Sequence, residues 1–117
     1  MQHELINYLE YPAKYIEKTK QFFAAVFNWQ FTDYGPEYTA FSKAETGIDG
    51  GFYLSDQTSN TDNGACLTVF YSDDLTQTET KIIEHGGKIK VPTFEFPGGK
   101  RFHFTDPNGN EFAVWSE

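Results

Sequence analysis

Three histidines, one cysteine and a scatter of carboxylates are the side chains of this 117-residue chain with the means to do chemistry. His103 is the best placed of them. It alternates with Phe102 and Phe104 in a run that reads as a strand, so if the two rings pack inward the imidazole faces the other way. Histidine titrates close to neutral pH, which suits a general acid or base. The competing reading is an ordinary strand histidine. Glu111 lies eight residues on, at the start of the last strand, and Glu10 lies in the first one. His3, five residues before Tyr8, falls on the opposite face of a regular strand from it. His85 closes a helix, where a favourable dipole contact accounts for it. Cys66, between Ala65 and Leu67, reads as a small strand residue. As the sole cysteine it excludes an internal disulfide and a thiolate metal cluster. There is no G-x-S-x-G elbow. Phe96-Pro97-Gly98-Gly99-Lys100 has hairpin chemistry without phosphate-loop spacing, although Lys100 and Arg101 offer a place for an anion.

Bulk properties narrow the partners. A net charge of −8 leaves no clustered Lys and Arg for a phosphate backbone, so neither nucleic acid nor an anionic membrane is expected. The acidity serves solubility first, and would also favour a cationic ligand. No run approaches the roughly 18 apolar residues of a membrane span, and Met-Gln-His-Glu-Leu has neither a basic nor an apolar leader region. A cytoplasmic location is the expectation. Twelve Phe and seven Tyr give one domain ample core, with aromatic surface left for a pocket or a subunit contact.

The elements that must position these groups come in two similar sets. Asn7–Tyr11 alternates as a strand, and a helix over Ala13–Phe27 carries Tyr15, Ile16, Thr19, Phe22, Phe23, Val26 and Phe27 on one face. Asn28, tolerant of left-handed backbone, stops it. A shift of 59 residues finds the pattern again. Leu67–Tyr71 is a strand, Asp73 or Asp74 an N-cap, and Leu75, Ile82 and Ile83 line a helix that His85-Gly86-Gly87 ends. Three short strands follow each helix: Trp29–Thr32, Tyr38–Lys43 and Gly51–Leu54, then Lys88–Val91, Arg101–Thr105 and Glu111–Trp115. The expected layout is a first module over residues 1–54, a polar connection over 55–64 and a second module over 65–117.

The last segment, Phe104-Thr-Asp-Pro-Asn-Gly-Asn-Glu-Phe-Ala-Val-Trp115, is the most specific. Pro107 presets φ, Asn108-Gly109 is expected to supply positive-φ positions, and Asp106 can bond back to the backbone. With the duplicated order, this turn resembles the DP-x-GN signature of the glyoxalase/bleomycin resistance protein/extradiol dioxygenase proteins, the vicinal oxygen chelate superfamily. The likeness covers nearly the whole chain. It implies an α+β fold of two tandem βαβββ modules with curved mixed sheets forming a cleft, and assembly as a homodimer.

The resemblance also implies where a divalent metal would be held. Each module of metal-using members gives one ligand from its first strand and one from its last. Those places fall at Tyr8, Leu54, Leu67 and Ala113, none of which carries an imidazole or carboxylate. The expectation is therefore a member without the usual metal site and with no predicted cofactor. Its small-molecule site would be lined by Tyr8, Leu54, Leu67, His103, Glu111, Ala113 and Trp115, with His103 the candidate catalytic group. Two alternatives stand beside it: a bleomycin-resistance-type dimer that sequesters a cationic ligand, and a metal-dependent lyase, isomerase or dioxygenase whose ligands are displaced to Glu10, His103 and Glu111.

Overall fold

The computed structural model describes residues 1–117. The chain divides into two compact units, Met1–Gln57 and Thr58–Glu117, each a four-stranded mixed sheet with its own main helix. The architecture is α+β, a βαβββ order used twice. No helix is long and apolar enough to cross a membrane.

In the first unit, strand β1 (Tyr8–Ala13) leads to helix α1 (Ile16–Phe27), then β2 (Phe31–Asp33), β3 (Tyr38–Phe41), a single helical turn α2 (Lys43–Thr46) and β4 (Asp49–Leu54). The sheet order is β1-β4-β3-β2, with β1 parallel to β4 and the other pairs antiparallel. Pro12 keeps Tyr11 extended, so the helix begins three residues later than Ala13 and the strand runs on. An edge strand tolerates the missing N–H. Tyr15 consequently sits at the N-cap and is exposed, off the apolar face expected for it. Asn28 ends α1 as anticipated, at φ 62°. Phe22, Phe23 and Val26 pack on Phe41, Phe52 and Trp29, with the Phe23 and Trp29 rings stacked at 4.7 Å. Removing such aromatic area from water is the main stabilising contribution of this layer.

The second unit repeats the plan with β5 (Thr68–Tyr71), α3 (Leu75–Glu84), β6 (Lys88–Phe96), β7 (Gly99–Thr105) and β8 (Glu111–Ser116), in the order β5-β8-β7-β6. Asp74 caps α3 by accepting the Gln77 N–H at 3.1 Å. Leu75 and Ile82 are buried on Phe102, Phe104, Phe112 and Val114, whereas Ile83 is exposed, one residue's rotation off the apolar stripe. Strand β6 is five residues longer than Lys88–Val91 because it is an edge. There, two register shifts, between Ile89 and Val91 and between Val91 and Phe94, absorb Pro92.

Candidate functional site

The closing turn anchors the second unit's site. Asp106 accepts backbone N–H groups from Asn108 and Asn110, both at 2.9 Å, and Gly109 takes φ 85°. Asn108 keeps a negative φ, so Gly109 alone meets the left-handed requirement. Burial pushes the Asp106 carboxyl up to about 6, partly offset by hydrogen bonds from Asn108 and Asn110. Asn110 Oδ1 accepts the Ser59 N–H at 2.9 Å, and the Glu111 N–H donates to Ser59 O at 2.8 Å. The polar stretch expected to be only a connection is thus tied along β8. It places one 3-10 turn, Thr61–Asn63, beside Glu111.

Glu111 is buried and fully engaged. Its Oε2 lies 2.7 Å from His103 Nδ1. Its Oε1 accepts from the Thr61 backbone N–H and hydroxyl, each at 2.8 Å, and from Lys90 Nζ at 2.9 Å. Burial alone would push this carboxyl up; hydrogen bonds from His103, Lys90 and Thr61 outweigh it and hold it at about 2. Lys90 also contacts Asp62 at 2.8 Å, and its ammonium is held above the usual lysine range by Asp62 and then Glu111. The ionised carboxylate accepts a hydrogen bond from His103 Nδ1–H, so Nε2 is the free ring nitrogen. That atom is buried and has no partner.

His103 faces Ala113 across the β7–β8 pair, and Arg101 faces Trp115. Alternation puts Arg101, His103, Glu111, Ala113 and Trp115 on one sheet face, with Phe102 and Phe104 on the core side, as the sequence pattern requires. Lys100 falls on the other face from Arg101, so the two do not form a joint anion site. Leu67 precedes β5 and is half-buried, and Cys66 beside it is exposed rather than in the strand. His85 donates to Lys81 O at the end of α3, and His3 is exposed ahead of β1.

The first unit handles the same positions differently. Glu10 pairs with Gly51 on β1 and β4, as Val69 pairs with Ala113 on β5 and β8. First strands therefore correspond at a shift of 59 residues and last strands at 62. The counterpart of Ala113 is Gly51, while Leu54 lies at the other end of β4, opposite Ala13 and half exposed. Over Gly51 lies the Tyr38 ring: a Cβ there would come within 2.3 Å of its hydroxyl. The Tyr38 hydroxyl donates to Glu10 Oε2 at 2.9 Å and lies 2.6 Å from that of Tyr8. Burial, then the Tyr8 and Glu10 contacts, raise the Tyr38 phenol above the tyrosine range. Beside it is an open hollow of about 740 Å³ lined by Tyr8, Phe31, Tyr34, Tyr38, Glu45 and Asp49.

This arrangement gives a test. Gly51→Ala should displace Tyr38, break both hydroxyl contacts and cost about 1 kcal/mol. In an NMR titration the Tyr38 ring should stay protonated well past about pH 10 in the parent and return toward that value in the variant. Ordinary ionisation in the parent would contradict the geometry.

The donor set does not fit the metal of the wider family. Gly51, Leu67 and Ala113 offer no ligand atom, and both Glu111 oxygens are engaged. No three His, Cys, Asp or Glu side chains gather anywhere. Sequence reasoning found His103 and Glu111 by parity, but not Tyr38, Thr61 or Lys90. The residue pattern had no cue for Thr61 beyond its place in a polar stretch.

Residues 5–114 match the family model of the Glyoxalase/Bleomycin resistance protein/Dioxygenase superfamily. No curated protein matches the sequence. Among solved structures, a glyoxalase-related enzyme from Fulvimarina pelagi superposes with a TM-score of 0.79 at 14% identity, over 98% of this chain and 89% of that one. The genomically encoded fosfomycin resistance protein of Listeria monocytogenes gives 0.77 at 17%, over 100% and 95%. The lactoylglutathione lyase of Agrobacterium tumefaciens gives 0.71 at 16%, over 98% and 95%.

Proposed function

The chain belongs to the Glyoxalase/Bleomycin resistance protein/Dioxygenase superfamily, and we propose that it is a small-molecule-binding member that works without the metal, using His103 as its acid–base group. The observation that carries this reading is the His103–Glu111 contact at 2.7 Å, which leaves Nε2 as a free nitrogen on a sheet face where no three metal-binding side chains gather. Glu111 fixes the tautomer and would stabilise the imidazolium formed when Nε2 takes a proton. Lys90 and Thr61 keep the carboxylate ionised, so the proton stays on the ring. Such a group contributes about 10²–10⁴ to a proton-transfer step.

The test is elemental analysis after incubation with iron, manganese, nickel and zinc, joined to ligand screening by thermal shift with and without chelator. The expected result is no retained metal, with ligand-induced stabilisation that survives chelator and is lost in His103→Asn. Stoichiometric metal would sink the proposal and direct attention to displaced ligands.

A second reading, capture of a cation without turnover by a bleomycin-resistance-type dimer, is favoured by the hollow in the first unit. Its volume suits a drug-sized ligand, and its tyrosines and the carboxylates of Glu45 and Asp49 suit a planar cation. Saturable quenching by a planar quaternary ammonium dye, weakened in Glu45→Gln and Asp49→Asn and accompanied by no product, would favour it. Sedimentation of the same samples would report whether a homodimer is present.

A further inference from the structure

The buried side-chain polar atoms without a partner are Arg101 Nε and His103 Nε2. They are two residues apart on β7 and so share a face, with Cα atoms about 7 Å apart. Buried polar groups are nearly always satisfied, and each orphan costs about 1–3 kcal/mol. Two orphans side by side mark a place for something that satisfies both.

Their chemistry specifies it. Arg101 Nε–H is a donor on a permanent cation. His103, with Nδ1–H donating to Glu111, presents a lone pair at Nε2. The complement is a molecule with an anionic oxygen for the guanidinium and a proton-bearing group next to it for the imidazole. The surroundings supply the rest. The Phe94 ring lies 5.5 Å from the Arg101 guanidinium carbon and 6.0 Å from the His103 ring. Opposite on β8, Trp115 faces Arg101 and Ala113 faces His103, giving an aromatic wall and a small floor. Phe94 is 39% exposed and sits at the end of a register shift on an edge strand, so its ring can turn aside to admit a ligand.

We propose that this face binds a small aromatic 2-hydroxycarboxylate, its carboxylate accepting from Arg101 Nε–H and its hydroxyl donating to His103 Nε2. The inference rests on the reading of His103 given above and adds the class of ligand. The net charge of −8 scarcely opposes an anion here, since fields are screened beyond about 8 Å at physiological ionic strength, and the nearby Glu111 carboxylate is itself paired with Lys90. Within that distance Arg101 is the cation with its Nε–H still open.

The experiment is an NMR titration of the full chain, following the Arg101 Nε–H and the His103 ring nitrogens. The probes are mandelate, phenylacetate (no hydroxyl) and 1-phenylethane-1,2-diol (no charge). Mandelate should shift both signals saturably, phenylacetate should bind more weakly and move Arg101 chiefly, and the diol should bind at least tenfold more weakly than mandelate. Arg101→Gln should weaken mandelate tenfold or more; Arg101→Lys, which keeps the charge but lacks the guanidinium, should do likewise and guards against a folding defect in the first variant. Equal binding of diol and mandelate, or unchanged binding in both variants, overturns the ligand class. If the diol moves the His103 signals and mandelate does not, this inference fails while the His103 reading stands. If no probe moves them, the ligand class is overturned, and the His103 reading is decided by its own metal and thermal-shift test.

Discussion

Replacing Glu111 by alanine should destabilise the protein by about 3–5 kcal/mol, the range for removing one partner of a buried charged pair. Four donors lose their acceptor at once: His103 Nδ1–H, the Thr61 backbone N–H and hydroxyl, and Lys90, which keeps only the exposed Asp62. Urea unfolding of parent and variant reads this directly, as a midpoint lower by roughly 1–5 M at ordinary urea sensitivity. A loss below 1 kcal/mol would mean that the carboxylate is solvated and the cluster loose. Glu111→Gln separates charge from shape. The folded carboxyl titrates at about 2, against an ordinary value of 4.5, so its contribution is present above pH 4.5 and is lost as the pH falls toward 2. The shift corresponds to about 3 kcal/mol. Asp106 runs the other way: its folded value of about 6 lies above the ordinary 3.8, so its contribution is present below about pH 4 and is lost as the pH rises to 6. Because both chains carry Asp106, the difference between parent and Glu111→Gln isolates Glu111. That difference should shrink as the pH falls from 4.5 toward 2; a constant difference would refute the linkage.

Much of this site was legible because strands impose a period of two. Once Phe102 and Phe104 are core, His103 must face away, and Glu111 must share the face of Ala113. The closing turn was legible through Asp106, Pro107 and Gly109, each of which meets a backbone demand within five residues. What stayed hidden depends on longer-range geometry. Thr61 is one threonine in a polar stretch, and only the pairing of Ser59 with Asn110 and Glu111 turns its N–H toward the carboxylate. The turn α2 was hidden for another reason. Ser42, Glu45 and Gly47 carry its capping signals, but the strand reading of Tyr38–Lys43 ran over Ser42, the first of them. The three extra residues between paired first and last strands belong to the second unit, whose β6 and β7 run nine and seven residues against three and four for β2 and β3. The turn α2 lengthens the first unit and offsets part of that difference, which is why one shift of 59 residues describes the first strands and fails for the last.

The two units have also spent the same inherited positions in different ways. In the second, the small Ala113 lies opposite His103 across the β7–β8 pair. In the first, Gly51 has no side chain at all, and Tyr38 crosses the sheet above it to meet Glu10 and Tyr8. One unit thus sets the Tyr38 phenol over this position and the other sets the His103 imidazole opposite it, each with defined contacts of its own.

The consequence of the misplaced shift is sharpest at Gly50. Asp49-Gly50 lies just ahead of the strand expected from the sequence, Gly51–Leu54. In the structure it lies inside β4, with Gly50 opposite Leu9 on one side and Phe41 on the other. A Cβ at Gly50 would stand 2.2 Å from the Leu9 carbonyl oxygen and 2.4 Å from the tip of the Phe41 ring. The ring can yield, but the carbonyl belongs to the neighbouring strand and moves only if β1 moves. Gly50→Ala should therefore cost about 3 kcal/mol or more, at the upper end for overpacking. Gly51→Ala meets only a side-chain tip and should cost about a third of that. Urea unfolding of the two variants side by side decides between the readings. If Gly50→Ala is as mild as Gly51→Ala, residues 49 and 50 form a turn after all and the three-residue difference between the units disappears. If it is severe, amide hydrogen exchange should show protection lost first along β1 and β4, while α3 and β8 retain theirs.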